Sequence, residues 1–510
     1  MIAGCGGGGD TTATDCFYVR LKKNPTTLDP ALIVDVDGAR IAAKLFNGLV
    51  RFDTNLFPIP DLAASWKVSS DGLLYRFTLR KDARFFNGRT VTARDVRYSV
   101  ERVLHPGTRS PRTWVFSRIR GARRFMRDPS GHVEGIRIRG PHELEIILEE
   151  PFAPFISFLG LTTAYVVPRE AVEKWGADFG FHAGGTGPFT LTQWRHNQYL
   201  QLTANPFFYR AKPRMAGIRY KVIPENFTAL VEFEKGDLDL LPEIMASEYA
   251  RFARDPAWKP FITMAPSLNT YYLGLNCQMP PFDDIRVRQA LNLAVDRETI
   301  LEKLLEGRGA PARGPLPPLL GGSPLPGGYR FDPARARELL QDAGYADGFS
   351  MTIYQAADIE SLDILQVVQE YLNNVGIRAG IVQLEWSTFL ETVARGDAQA
   401  FWLSWWADYP EGENFLFPLF HSRNWGAGGN RSRFKDSRID ELISAAVRIM
   451  DEQERRTAYR RIEQLIIDQA PWVFFWHKAS CAIHQPRVKG FTAAPLAVME
   501  TWDSVALERQ

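Results

Sequence analysis

LFNGLVRFDTNLFPIPDLAASWKVSSDGLLYRFTLRKDARFFNGRTVTARDVRYSVERVL, residues 45–104, holds strand, turn and helix signals in immediate succession. Leu73, Tyr75, Phe77 and Leu79 alternate with Arg76, Thr78 and Arg80, the period of a half-buried antiparallel strand. Asn87-Gly88 supplies a turn. Thr92, with Asp95 three residues on, reads as a capping box. It opens a helix that turns Val96, Val100, Val103 and Leu104 inward, and His105-Pro106-Gly107 ends it. Strand, short connection and helix in one stretch point to an α/β chain with mixed sheets.

The same grammar continues outward. Residues 15–50 read as strand, turn and helix, with Asp35 and Asp37 placed where carboxylates suit helix N-terminal N–H groups. ELEIILE, 143–149, is a second alternating strand, and GGTGPFTLTQW, 184–194, is a Gly/Pro turn entering another. TYYLGLN, from residue 270, predicts a strand, and VRQALNLAVDRETILEKLLEG, 287–307, one strong helix. The Gly- and Pro-rich stretch 307–330 reads as a long surface loop. Asp332-Pro333 starts a helix as N-cap and N1, and Gly344 closes it. Two further helices are expected at about 437–449 and 452–469, before Pro471. No internal repeat of 20–50 residues is visible.

At 510 residues the chain exceeds one ordinary core. Its 45% hydrophobic and 24% charged residues are those of a globular protein. A net charge of +2 gives no electrostatic mandate for nucleic acid. The basic run Arg118, Arg120, Arg123, Arg124 and Arg127 reads as a solvated face. No stretch reaches the roughly 18 apolar residues needed to span a bilayer. The eight histidines form no HExxH or His–Cys cluster, and no GxSxG elbow, Walker loop or GxGxxG occurs. No metal or cofactor is expected. Cys5, Cys16, Cys277 and Cys481 make no CxxC pair. Ile2-Ala3-Gly4-Cys5, followed by Gly6 to Asp10, resembles the lipobox of bacterial lipoproteins, in which the cysteine is lipidated. The charged and apolar regions that should precede it are missing, and the alternative is a Gly-rich tail.

FWLSWWADYPEGENF, 401–415, sets Asp408 among Trp402, Trp405, Trp406 and Tyr409. A carboxylate in such company is costly unless paired. Alone, the composition Ala-Asp-Tyr-Pro reads first as a turn capped by Asp408.

Seven segments, in order, resemble the family 5 extracytoplasmic solute-binding proteins, the dipeptide- and oligopeptide-binding subunits of bacterial ABC importers. They are NPTTLDPAL from residue 24, the stretch 45–104, GGTGPFTL from 184 and YYLGLNCQMPPFDDIRVRQALNLAVDRETI from 271. FDPARARELLQDAGY from 331, SWWADYPEGENFL from 404 and GNRSRFKDSRIDELI from 429 follow. The resemblance implies an α/β, two-lobed periplasmic-binding-protein-like fold with mixed sheets, three structural domains and a two-segment hinge. The expected boundaries are a tether at 1–14; domain I at 15–52, 166–265 and 485–510; domain II at 53–165; and domain III at 266–484. Crossings near 262–272 and 478–488 would carry lobe closure. A monomer outside the cytoplasm is implied, in the periplasm or lipid-anchored through Cys5, handing a short peptide to a membrane permease and its ATPase.

In peptide-binding members an aspartate in a Trp-x-Ala-Asp-Tyr context receives the ligand's α-ammonium, and Trp405-Trp406-Ala407-Asp408-Tyr409 matches. The expectation is that Asp408 forms half of an ion pair completed by ligand, with Trp405, Trp406 and Tyr409 as walls. Arg431, Arg433 and Arg423 are candidates for a ligand carboxylate, Trp114 for an opposite wall, and His421 for a ligand-facing group. The family often has a second proline where this chain has Gly412, so the loop is expected to be less rigid or shaped for another ligand. Oligosaccharide, opine, metal chelate and haem are alternative solutes. A carboxylate-dependent hydrolase, pairing Asp408 with Glu411 or Glu413, is a further alternative; no enzyme activity is the expectation.

Overall fold

Asp95 shows how local chemistry sets the elements. Its carboxylate accepts hydrogen bonds from the backbone N–H and hydroxyl of Thr92, both at 2.8 Å, which caps the helix Ala93–Leu104. Val96, Val100, Val103 and Leu104 are buried beneath it. Gly88 takes φ +86° in the turn before the helix, a conformation open to glycine without strain. The strand Leu74–Leu79 pairs antiparallel with Ala63–Val68 and Glu143–Ile147, and Ile136–Gly140 completes a four-stranded antiparallel sheet.

These elements come from a computed structural model that describes residues 16–321 and 328–508. Cys5 and the glycine tether lie outside the described residues. The chain forms two compact units, one of residues up to 265 together with those from 480, the other of residues 266–479.

In the first unit Cys16–Leu21 runs parallel to Gly217–Val222, while Tyr199–Ala204 and Phe189–Arg195 add antiparallel strands, so this sheet is mixed. Phe17, Val19, Leu200, Leu202 and Ile218 project into a core closed by Ile41 and Leu45 of the helix Val36–Leu45. Asp35 caps that helix through the Gly38 N–H at 2.7 Å. The second unit also has a mixed sheet. Phe349–Ala356 is parallel to Ile377–Leu384 and to Ala400–Trp406, whereas Asn269–Leu275 runs antiparallel to Ala400–Trp406 and to the start of Trp472–His484. Leu273, Val287, Leu291, Ile353, Leu365 and Phe475 fill its core.

Two expectations need correction. The single helix expected over 287–307 is two, Ile285–Ala294 and Arg297–Leu304. Asp296 breaks it by accepting the Thr299 N–H at 3.1 Å, acting as an N-cap inside an apolar pattern that reads as continuous. The loop expected over 307–330 contains a short strand, Gly309–Pro311, paired with Trp472–His484, and a single turn at Pro318–Leu320. The expected helices at 333, 437 and 452 are Pro333–Asp342, Ser437–Ala446 and Glu452–Gln469.

Candidate ligand site

Ala400–Trp406 is a strand because alternate aromatic residues can be buried on the two faces of a sheet. Its register against Asn269–Leu275 assigns the tryptophans. Leu273 faces Trp402 and Asn269 faces Trp406, while Thr270 faces Trp405 and Tyr272 faces Leu403. Directly opposed residues share a face, so Trp402 and Trp406 lie on one side and Trp405 on the side of Tyr272. Trp402 is core, edge-on to Phe475 at 4.8 Å. Trp406 is 48% exposed, with its ring 6.5 Å from that of Tyr271. Trp405 is partly buried, and its indole Nε1 is enclosed with no hydrogen-bond partner among the described residues.

The ladder ends where the Ala407 N–H donates to the Leu268 carbonyl at 2.8 Å. The chain then turns through Asp408, which is half-buried and whose N–H donates to Asn414 Oδ1 at 3.0 Å. Asn414 belongs to the helix Glu413–Phe420, so that helix fixes the backbone beneath the Asp408 carboxylate. Tyr409 is buried, and its hydroxyl donates to Glu413. Burial, reinforced by that carboxylate, holds the Tyr409 hydroxyl well above the usual phenol range. Glu411 pairs with Arg455 at 3.1 Å, both largely enclosed. A Cβ at Gly412 would stand 2.7 Å from the buried Tyr459 ring. Packing thus requires glycine there, and side chains on both flanks brace the loop.

The cations separate as well. Arg431 Nε is enclosed without a partner among the described residues. Its guanidinium acts on the Tyr272 hydroxyl, opposing the upward push that burial gives that group. Tyr272 stacks on Trp472 with centroids 3.4 Å apart, so Arg431 stands beside an aromatic wall on the Trp405 side of the sheet. Arg433 donates to the Arg395 carbonyl, and Arg423 is exposed to solvent. His421 is buried against Asp440 and Ser444, and burial lowers its pKa. In the first unit, Trp114 is 36% exposed and meets Phe158 edge-on at 5.2 Å.

Glu411 and Glu413 are each committed within this loop, one to Arg455 and one to Tyr409. The sequence carries no local sign of these pairings: Arg455 is 44 residues from Glu411. The Asn414 contact, by contrast, joins residues six apart, and its amide is visible in YPEGENF. Among the described residues no group of three or more His, Cys, Asp or Glu is disposed to hold a metal, and no helix is long and apolar enough to cross a membrane.

Residues 58–427 match the family described as bacterial extracellular solute-binding proteins, family 5 Middle. The chain belongs to this family. Among relatives of this solute-binding protein, the glutathione-binding protein GsiB of Salmonella choleraesuis (strain SC-B67) is 28% identical over 485 residues, covering 94% of this chain and 92% of the relative. Heme-binding protein A of Haemophilus influenzae is also 28% identical, over 509 residues and 95% and 91% of the two chains. The periplasmic murein tripeptide binding protein MppA, in an unliganded open form, superposes with a TM-score of 0.82 at 25% identity over 97% of each chain. DppA of Helicobacter pylori, in complex with peptide STSA, gives 0.78 at 25% identity over 97% and 98%. The mixed-sheet α/β fold of two-lobed periplasmic binding proteins, expected from the seven segments, is the fold of this chain.

Proposed function

We propose that this solute-binding protein captures short peptides, or peptide-like solutes with a free ammonium, and delivers them to the permease and ATPase of an ABC importer. One observation carries the reading. Asp408 follows the half-exposed Trp406 on a backbone held by Asn414, at the position where the Trp-x-Ala-Asp-Tyr resemblance puts the carboxylate that receives a ligand ammonium. Two enclosed donors without partners among the described residues, Trp405 Nε1 and Arg431 Nε, suit the acceptor oxygens of a peptide backbone and its carboxylate. The relatives that bind glutathione, murein tripeptide and a tetrapeptide point the same way.

Trp114, 36% exposed in the first unit, is a further candidate for aromatic contact with the solute. Trp406 and Tyr409 shape the near wall, Tyr409 by holding Glu413. Arg431 is preferred to Arg423 for the ligand carboxylate because it stands against Tyr272 instead of in solvent. The protein works outside the cytoplasm as a monomer, with Cys5 as the lipid-anchoring residue. A haem-type solute is the second reading, favoured by the equally similar heme-binding relative.

The test compares a free-amine tripeptide with its N-acetylated form by calorimetry and thermal shift. The free amine is expected to bind and raise the melting temperature, and the acetylated form to bind at least about tenfold more weakly, as loss of a charge-assisted pair implies. Asp408→Asn should erase that discrimination while the variant still unfolds in one cooperative transition. Equal affinity for both peptides in the wild type would sink the ammonium role. Mass spectrometry of the co-purifying solute separates peptide from haem.

A further inference from the structure

A recess lies in the first unit, whereas Asp408 belongs to the second. It is a solvent-open cavity of about 400 Å³ over one face of the helix Ala93–Leu104. Arg94, Arg97, Tyr98 and Glu101 fall at the i, i+3, i+4 and i+7 positions of that face and all line the cavity. His132 and Arg169 close its sides.

The acids facing this recess are already engaged. Asp95 accepts from the Arg89 guanidinium at 3.0 and 2.8 Å as well as from Thr92. Glu101 accepts the Val133 N–H at 3.0 Å and lies 3.0 Å from His132 Nδ1. Arg169 is occupied too: it pairs with Glu173 at 2.6 Å and lies over the Tyr98 ring at 5.6 Å. Arg94 and Arg97 are different. Neither guanidinium has a hydrogen bond or ion pair among the described residues. Two like charges spaced i, i+3 disfavour the helix that carries them unless an anion joins them.

We infer that this recess is a binding site for a phosphate group, held between the Arg94 and Arg97 guanidiniums over Tyr98. A phosphate offers enough acceptor oxygens for two guanidinium forks, whereas one carboxylate is satisfied by a single fork. The volume lies within the range of small-molecule sites and accommodates the group a phosphate is carried on, a free phosphoester or a phospholipid headgroup.

Calorimetric titration of the full chain with sn-glycerol 3-phosphate, and sedimentation with vesicles of phosphatidylcholine alone or 3:1 phosphatidylcholine to phosphatidylglycerol, test the site and its source. The comparison proteins are Arg94→Gln/Arg97→Gln and a control, Arg123→Gln/Arg124→Gln, on the exposed side of the helix Ala122–Arg127. The pocket variant is expected to lose at least tenfold in affinity for one probe while the control is unchanged. Loss of glycerol 3-phosphate binding identifies a free phosphoester; loss confined to the anionic vesicles identifies a headgroup. The site is overturned if the wild type binds neither probe or if the control loses as much as the pocket variant. Equally tight binding of succinate overturns the assignment to phosphate.

Discussion

Gly412 shows how one atom constrains the loop that presents Asp408. Its φ of −61° suits any residue, so the demand for glycine is steric and comes from Tyr459. That ring is buried and cannot yield cheaply. Gly412→Ala is expected to cost about 1–3 kcal/mol of stability, the usual penalty of overpacking. The same variant should weaken solute binding, because Gly412 adjoins Glu413 and Asn414, which hold Tyr409 and the Asp408 backbone. Denaturant unfolding together with solute titration checks it; an unchanged midpoint would mean that Tyr459 moves aside.

At the scale of elements, Asp296 is the sharpest lesson. Its carboxylate holds the Thr299 N–H at 3.1 Å and the Thr299 hydroxyl at 2.8 Å, starting a second helix where apolar spacing alone reads one. Asp296→Ala should lower stability by about 1 kcal/mol, the usual worth of an N-cap, measured as a shift of the urea midpoint at constant slope. Elements whose signals are local were legible. The Thr92–Asp95 box, the Asp332-Pro333 start and the Gly344 end are all contacts within a few residues, and each stands as the sequence implies. Asp408 stood out in the same way, as one acid in an aromatic run. The partners that shape its surroundings did not. Tyr272 stacks on Trp472 and Glu411 pairs with Arg455 across separations that only the folded sheet and helices define. The register that sends Trp402 into the core and leaves Trp406 half exposed is equally non-local, because strand pairing decides the face of every side chain.

At the scale of the molecule, each unit buries a basic group whose charged form burial strongly disfavours, His477 in one and Lys44 in the other, in pH windows that do not overlap. His477, in the second unit, is enclosed with Nδ1 2.8 Å from the Asn269 carbonyl, and burial lowers its pKa to about 4. Lys44, in the first, is buried beneath Trp502, with Nζ 3.7 Å from the ring centroid and donating to the Arg40 and Glu500 carbonyls. Burial draws it down to about 7, against a pull from Glu500 in the other direction. Both pKa values are depressed on folding, so the unfolded chain binds more protons across each window and stability rises with pH there. The His477 contribution is complete above about 6.5 and lost as pH falls through about 4, a change on the order of 3 kcal/mol. The Lys44 contribution is complete above about 10.5 and lost as pH falls to about 7, on the order of a few kcal/mol, since two carbonyls and the indole face support the ammonium. Calorimetric melts at pH 4–7 should therefore show an acid limb that His477→Gln flattens and Lys44→Met leaves intact. Melts at pH 7–10.5 should show the reverse. An acid limb indifferent to His477→Gln would place the controlling proton elsewhere.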